Sequence, residues 1–143
     1  MSDNCYFLDT NIFVYSFDNK SPKKRDVARN LVGNALNNGN GRISYQVIQE
    51  FLNVSTKKFE TPLTTSDAQI YLRTVLEPLC EVYSSAALFH QALEIANRWK
   101  YSFYDSLIIA AAVSAGCNTL YSEDMQHSHS IGNLKVVNPF LEL

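Results

Sequence analysis

The chain has 143 residues, which is enough for one domain with a sizeable core and too few for two domains of usual size. Hydrophobic residues make up 46% and charged residues 18%, which is ordinary for a soluble globular protein. The net charge of −2 excludes a general electrostatic attraction to nucleic acids or membranes. Any polyanionic partner must therefore be held by local basic patches or through a metal ion.

The compartment is indicated by apolar runs and by cysteine usage. The longest apolar run, residues 107–113, is too short to span a bilayer, and no cleavable apolar leader opens the chain. The three cysteines, Cys5, Cys80 and Cys117, lack metal or redox spacing and are predicted to be buried, reduced thiols. We therefore expect one cytoplasmic domain over residues 1–143, with no membrane association.

Strands and helices alternate along the whole chain. The first apolar run, residues 5–9, predicts a buried strand, and a short helix follows to about residue 17. Further strands are predicted at residues 42–44, 81–83, 118–121 and 134–137. Helices are predicted at residues 22–36, 45–58, 64–76, 85–99 and 102–115, and a polar loop at residues 126–132. This alternation predicts an α/β fold, a three-layer α/β/α sandwich around a parallel five-stranded sheet.

Two acidic residues directly follow predicted strands. Asp9 ends the first apolar run, and Asp124 follows the fourth strand within Ser122-Glu123-Asp124. Ligands bind at the carboxyl ends of strands in open parallel sheets, so these positions are candidate site positions. Simpler interpretations remain open, because Asp9 or Thr10 can cap the next helix and Asp124 can belong to a solvated turn.

Two further acidic residues lie on predicted helices. Glu50 is at the edge of an apolar helical face, where a surface glutamate is the simpler interpretation and a buried acid needs a partner. Asp105 is in the first turn of the most apolar helix of the chain, where Ser102 and Asp105 also fit a capping box. Both interpretations of Asp105 can hold together.

The four acids can converge on one crevice if the first and fourth strands are neighbours. Clustered carboxylates repel one another and raise one another's pKa, so a cation must offset their charge. Oxygen ligands without a histidine or cysteine cluster suit Mg²⁺ or Mn²⁺, which can promote hydrolysis of a phosphodiester. The candidate catalytic and metal-binding residues are therefore Asp9, Glu50, Asp105 and Asp124.

Local cations and aromatic rings are candidates for holding a nucleic acid. The second predicted helix carries Lys23, Lys24, Arg25 and Arg29, and Lys57-Lys58 ends the helix of Glu50. Tyr15 and Tyr104 near the acidic residues are candidates for stacking on bases. A solvated helix face and ordinary core packing are the competing interpretations.

Four short motifs, in order along nearly the whole chain, resemble those of PIN-domain ribonucleases, in particular VapC-type toxins of toxin–antitoxin pairs. The motifs are Leu8-Asp9-Thr10-Asn11, Gln49-Glu50-Phe51, Tyr104-Asp105-Ser106-Leu107-Ile108 and Ser122-Glu123-Asp124. The resemblance implies a metal-dependent ribonuclease with Asp9 as a metal ligand, RNA as substrate, a cognate antitoxin and a homodimer. It also implies a parallel five-stranded sheet between helices.

The chain departs from the family pattern after its fourth acid. Many members carry an Asp two residues later, followed by an aromatic residue, where this chain has Gln126 and His127. Because of this departure, the site can hold one metal ion or two, and a catalytically weak PIN-like module that binds RNA or protein stays an alternative to the nuclease. Glu123 is also a possible partial replacement for Asp124.

Other acid-bearing α/β classes fit the sequence less well. A haloacid-dehalogenase-type phosphatase resembles the start of the chain, but Asn11 stands where a second carboxylate is needed. A receiver-type signalling module needs paired acids after the first strand and a late lysine. A dinucleotide-binding fold needs a glycine-rich turn after the first strand, which this sequence lacks.

Overall fold

The computed structural model describes residues 4–141, and a mixed sheet with helices on both faces organises them. The strands are β1 (Tyr6–Leu8), β2 (Gly41–Ser44), β3 (Cys80–Val82), β4 (Thr119–Tyr121), β5 (Ser130–Ile131) and β6 (Leu134–Val137). The helices are α1 (Thr10–Tyr15), α2 (Pro22–Asn38), α3 (Tyr45–Lys57), α4 (Thr65–Tyr71), α5 (Glu77–Leu79), α6 (Ala86–Trp99) and α7 (Phe103–Ser114). A π-helical segment, Leu72–Leu76, joins α4 to α5.

The strand order is β3-β2-β1-β4-β6-β5, and all neighbours are parallel except β5 and β6. The order runs outward from β1 in one direction and from β4 in the other. The boundary between β1 and β4 is therefore the topological switch point, and the condition under which the four acids could converge, that these two strands are neighbours, is met. The carboxyl ends of both strands lie at the same edge of the sheet.

Helices cover both faces of the sheet, as the three-layer prediction required. Phe7 and Leu8 are successive residues of β1, so their side chains point to opposite faces, and both are fully buried. The helix α7 packs against β2 and β4 and is covered in turn by α6, while α2 and α3 contact β2. The core residues of α7, from Leu107 to Ala112, are all buried, as expected for a helix that is apolar nearly all round.

One strand was not predicted, and it makes the sheet mixed rather than wholly parallel. Ser130–Ile131 lies in the segment predicted to be a polar loop, and it pairs antiparallel with β6. Gly132 has a φ of 59° and allows the tight Gly132-Asn133 turn between the two strands. A strand of two residues is too short to show a hydrophobic period, which is why the sequence pattern did not reveal it.

The cysteine prediction is correct at two positions of three. Cys5 and Cys117 are buried, with their Sγ atoms 3.0 Å apart, whereas Cys80 on the edge strand β3 is only half-buried. The helices are too short or too polar to cross a membrane. Over residues 4–141, no helix combines the length and the apolar character that crossing a membrane requires.

Candidate active site

Asp9 lies where β1 ends and α1 begins. Its Oδ1 accepts a hydrogen bond of 2.7 Å from the backbone N–H of Thr10, so the capping interpretation is correct. Its Oδ2 accepts a second bond of 2.7 Å from the hydroxyl of Ser122, at the carboxyl end of β4. Asp9 is 6% exposed and also lines the acidic cleft described next. The cap and the candidate site role therefore coexist in one side chain.

The structure brings the four predicted acids together. Asp9, Glu50, Asp105 and Asp124 line one open cavity of about 330 Å³, here called the acidic cleft. They reach it from the end of β1, from α3, from the first turn of α7 and from the loop after β4. Residues far apart in the chain thus meet beside the switch point, where the carboxyl ends of β1 and β4 lie side by side.

Polar side chains hold the carboxylates in place. Glu50 accepts hydrogen bonds from the hydroxyl of Thr10 at 2.6 Å and from Nε2 of Gln46 at 3.1 Å. Asn11 donates from Nδ2 to Asp124 at 2.7 Å. Because Thr10 and Asn11 open α1, this short helix joins the carboxylates of α3 and of the loop after β4.

The first turn of α7 fixes the position of Asp105. The backbone N–H of Asp105 donates to the hydroxyl of Ser102 at 3.1 Å, which gives α7 the N-cap that the sequence predicted. Nε2 of Gln46 donates to the backbone carbonyl of Tyr104 at 3.2 Å, so α3 is tied to α7 beside the acid. Asp105 thereby serves in the capped turn and lines the acidic cleft at once.

The electrostatics of the acidic cleft favour a cation. Burial, and to a smaller extent the charges of Asp124 and Glu50, raise the pKa of Asp9 to about 6, although the hydrogen bonds from Ser122 and Thr10 lower it. Burial, and then the charges of neighbouring acids, also raise the pKa of Asp105 and of Asp124. Among residues 4–141, no lysine or arginine forms an ion pair with any of the four acids. Within the described residues, their negative charge is therefore left without a direct counterion.

The donor set suits a hard divalent cation. The side chains around the acidic cleft supply carboxylate, hydroxyl and amide oxygens, which Mg²⁺ and Mn²⁺ prefer. In the described part of the chain, however, no three acidic, histidine or cysteine side chains stand close enough together to form a metal-binding group. The residues thus fit such an ion in chemistry and charge, and ligation by several of them requires the carboxylates to move closer.

Glu123 does not take the place of Asp124. Its Oε1 accepts a hydrogen bond of 2.5 Å from the hydroxyl of Tyr15, and its Oε2 accepts one of 2.6 Å from Nζ of Lys24. Burial alone raises the pKa of Glu123, but the bonds and charge of these partners outweigh burial and lower it. Only Asp124 of the two acids lines the acidic cleft.

The cations predicted to hold a nucleic acid lie in different surroundings in the structure. Lys24 is paired with Glu123, Nη1 of Arg25 donates to Asn19 at 3.0 Å, and Nε of Arg29 donates to the carbonyl of Ser16 at 2.8 Å. None of these cations lines the acidic cleft, whereas Lys58, after the last residue of α3, does. Three members of the predicted basic cluster therefore have partners within the chain, and Lys58 is the one lysine or arginine of residues 4–141 that lines the acidic cleft.

The two histidines of the loop before β5 have structural contacts. Nδ1 of His127 accepts from the backbone N–H of Asn138 at 3.0 Å. Nδ1 of His129 lies 2.7 Å from the hydroxyl of Tyr101, and its ring packs against Trp99. Neither histidine lines the acidic cleft, and both instead hold the loop before β5 in place.

Sequence reasoning missed the roles of Gln46 and Thr10. Gln46 is only 8% exposed and bridges Glu50 to the start of α7. The spacing of four residues between Gln46 and Glu50 places them on one helical face and was a usable signal. The bond from Thr10 to Glu50 joins residues 40 positions apart, so no local pattern reveals it.

The fold and the acidic cleft define a class of protein: an α/β domain with clustered carboxylates at the switch point of a mainly parallel sheet. The PIN domain family matches residues 6–129, which is most of the chain. The chain therefore belongs to the PIN domain family. No curated protein sequence matches it.

Solved structures that share this fold include a toxin–antitoxin complex and a toxin. A chain of a toxin–antitoxin complex from Klebsiella pneumoniae is 18% identical, with a TM-score of 0.66 and coverage of 94% of this chain and 98% of that one. VapC20 from Mycobacterium tuberculosis, a toxin that cleaves the sarcin–ricin loop, is 20% identical, with a TM-score of 0.58 and coverage of 83% and 89%. VapBC2 from Rickettsia felis, bound to promoter DNA, is 23% identical, with a TM-score of 0.61 and coverage of 92% and 96%. At these identities the resemblance establishes the fold.

Proposed function

We propose that this protein is a Mg²⁺- or Mn²⁺-dependent endoribonuclease and the toxin of a toxin–antitoxin pair. The observation that carries the proposal is the meeting of Asp9, Glu50, Asp105 and Asp124 in one cleft of a PIN domain, without a cationic partner for any of them in the described range 4–141. The similar structures support the proposal that the protein is a toxin of such a pair, because they include a toxin–antitoxin complex and a toxin. They also support an antitoxin partner, while the homodimer and a cytoplasmic location remain proposals of ours.

The four acids would hold the metal ion, and the surrounding residues would keep them in position. A bound Mg²⁺ or Mn²⁺ supplies charge stabilisation at the phosphate and lowers the pKa of water. Thr10 and Gln46 orient Glu50, Asn11 orients Asp124, and Ser122 orients Asp9.

Lys58 is the residue proposed to contact the RNA backbone. It is exposed and lies on the wall of the acidic cleft, so its ammonium group can bind a phosphate next to the one that is cut. The carboxylates repel the RNA backbone unless a cation offsets their charge. RNA binding in the acidic cleft therefore depends on the metal ion and on Lys58 together.

A catalytically weak RNA- or protein-binding module is the second candidate function. Two observations favour it. Gln126 and His127 stand where many PIN proteins carry an acid and an aromatic residue, and the carboxylates of residues 4–141 do not form a closed metal-binding group. The two candidates differ in one measurable property, metal-dependent cutting of RNA.

The deciding experiment is a cleavage assay of the purified protein on a panel of cellular RNAs. We expect cutting with Mg²⁺ or Mn²⁺, loss of cutting in EDTA, and recovery when metal is added in excess. Asp9→Asn removes a ligand charge with little change in volume and should abolish cutting. Asp26→Asn, at a solvent-exposed acid outside the acidic cleft, is the matched control and should cut normally.

Two results would separate the candidate functions. Equal cutting by the wild type and Asp9→Asn would refute the catalytic role of the acidic cleft. RNA binding without cutting, in either metal, would favour the binding module instead.

A further inference from the structure

Tyr104 is an exposed aromatic residue in the wall of the acidic cleft. It is 66% exposed, the largest value among the exposed large hydrophobic residues of the described chain. It precedes Asp105, and both residues line the acidic cleft with Lys58. A tyrosine ring left mainly in water beside a catalytic cleft is available to a ligand with a flat apolar face.

The surroundings of Tyr104 hold its ring in a defined place. Its backbone carbonyl accepts the hydrogen bond from Gln46, which fixes the first turn of α7 against α3. Its ring packs edge-to-face on Phe103, with 5.5 Å between centroids and an interplanar angle of 75°. Phe103 packs in turn on Phe89 of α6, at 6.3 Å. The ring is thus supported from one side and open on the rest of its surface.

The structure distinguishes Tyr104 from the other tyrosine that the sequence suggested for stacking. The hydroxyl of Tyr15 donates to Glu123, its ring packs on Phe140 at 5.0 Å, and Nζ of Lys24 lies 4.6 Å above it. Tyr15 therefore has a structural role and does not line the acidic cleft. Tyr104 has both the exposure and the location that stacking on a bound nucleotide requires.

We infer that Tyr104 stacks on an unpaired base next to the phosphate held at the acidic cleft. The inference rests on the proposed function and adds to it a residue that contacts the base beside the cut. Bases inside a regular RNA duplex are stacked on their neighbours, so a side chain in the cleft wall cannot cover their faces. Stacking on an aromatic ring tolerates any base, so Tyr104 selects the RNA conformation rather than a sequence.

A protein partner is the competing use of this surface. Phe89 and Leu93 of α6 are 41% and 56% exposed, and together with Phe103 they could be covered by another protein chain. Tyr104 differs from Phe89 and Leu93 because it also lines the acidic cleft, next to Asp105. This position favours RNA as the ligand of Tyr104, and the experiment includes the protein partner as an outcome.

The test measures binding of labelled RNA hairpins with Ca²⁺ in place of Mg²⁺, so that a divalent cation offsets the carboxylates, and a denaturing gel checks that the RNA stays intact. The probes are a hairpin with an unpaired loop, a set of hairpins in which one loop base at a time is removed to leave an abasic ribose, and a blunt duplex. The proteins are the wild type, Tyr104→Ala, Tyr104→Phe and Tyr83→Ala. Tyr83 is 55% exposed and does not line the acidic cleft, so it is the matched control.

We expect Tyr104→Ala to weaken binding of the intact hairpin about tenfold, the order of one stacked base. Tyr104→Phe and Tyr83→Ala should bind like the wild type. Removal of one particular loop base should weaken the wild type by a similar factor and leave Tyr104→Ala unaffected, because the stacking partner is already missing. The blunt duplex should bind every protein weakly.

Three outcomes would overturn the inference. In the first, Tyr104→Ala binds every hairpin as tightly as the wild type does and sediments normally. In the second, the affinity lost through Tyr104→Ala adds in full to the affinity lost at every abasic position. In the third, Tyr104→Ala leaves RNA binding unchanged but alters the sedimentation of the protein, which would assign the ring to a contact between protein chains.

Cleavage measured in parallel separates this inference from the proposed function. If the wild type cuts RNA with Mg²⁺ and Tyr104→Ala has the same kcat/KM, the inference fails and the nuclease stands. If the hairpins bind with the expected dependence on Tyr104 but neither metal supports cutting, the nuclease fails and the stacking site stands.

Discussion

At the scale of single residues, Asp9 combines two roles that impose different demands. As the N-cap of α1 it accepts the backbone N–H of Thr10, and as a candidate metal ligand it is buried in the acidic cleft. Burial opposes its charge, and the hydrogen bonds from Thr10 and Ser122 only partly compensate. Its charged form is therefore costly for the fold when no metal ion is bound.

The pH dependence of stability follows from the direction of this pKa shift. The pKa of Asp9 rises from 3.8 to about 6 on folding, so its protonated form favours the folded state. That contribution is complete below about pH 4 and is lost as the pH rises through about 6. At neutral pH the ionised Asp9 should cost the metal-free protein up to roughly 3 kcal/mol.

We expect Asp9→Asn to unfold at higher urea concentration than the wild type in EDTA at pH 7. The difference should disappear near pH 4, where the wild-type carboxyl group is protonated. Urea unfolding across this pH range measures both effects, with Asp26→Asn as the control for a change of net charge. A variant that is less stable than the wild type at pH 7 would show that the cap and the bond to Ser122 outweigh the burial of charge.

At the scale of secondary-structure elements, the loop after β4 is tied to α1 and α2 through Glu123. Tyr15 is the last residue of α1 and Lys24 is in the first turns of α2, and both donate to the Glu123 carboxylate. The side chains of Lys24 and Glu123 are 34% and 23% exposed, so water screens this pair only in part. Because Asp124 is the next residue, the tie determines where that acid sits in the acidic cleft.

We expect Glu123→Gln to reduce stability by about 1–2 kcal/mol and to slow cutting several-fold. The stability is lost because a neutral amide has only one oxygen and cannot replace a carboxylate that accepts hydrogen bonds from both Tyr15 and Lys24. The position of the neighbouring Asp124 is then less well fixed. Lys24→Gln should give a similar loss, and the double variant should lose less than the sum. Lys23→Gln, at the exposed neighbouring lysine, is the control. Urea unfolding and cutting rates of the single and double variants measure this coupling. If the two losses simply add in the double variant, Lys24 and Glu123 do not act together.

At the scale of the whole molecule, the arrangement of charges decides where RNA can bind. The net charge is −2, and four acids face one cleft. Three of the cations predicted to form a basic cluster have partners within the chain. Lys58 is the lysine that lines the acidic cleft, and it is exposed.

We expect Lys58→Gln to weaken RNA binding uniformly across sequences and to reduce the slope of log affinity against log salt by about 1. The physical reason is the loss of one phosphate contact and the counterion it releases. Lys20→Gln, at a lysine paired with Glu60 on the surface, is the control. Binding measured at several salt concentrations gives the slopes, and equal slopes for Lys58→Gln and the wild type would exclude a phosphate contact.

The sequence by itself determined the order of strands and helices and the four candidate acids. These features are local: Asp9 directly follows an apolar strand, Asp105 is in the first turn of an apolar helix, and Ser102 caps that helix. Period and capping depend on residues within a few positions of one another, so they can be read along the chain. The two-residue strand Ser130–Ile131 escaped because it spans only one hydrophobic period, which is too short to show an alternation.

Only the tertiary structure decided which of the candidate residues lie at the acidic cleft. It separated Asp124 from Glu123, Tyr104 from Tyr15, and Lys58 from Lys24, although the sequence left both members of each pair open. The deciding contacts join distant positions, such as Tyr15 with Glu123, which are 108 residues apart. Such contacts form because crossovers between parallel strands bring remote segments to the same edge of the sheet, and no local pattern encodes which side chains then meet.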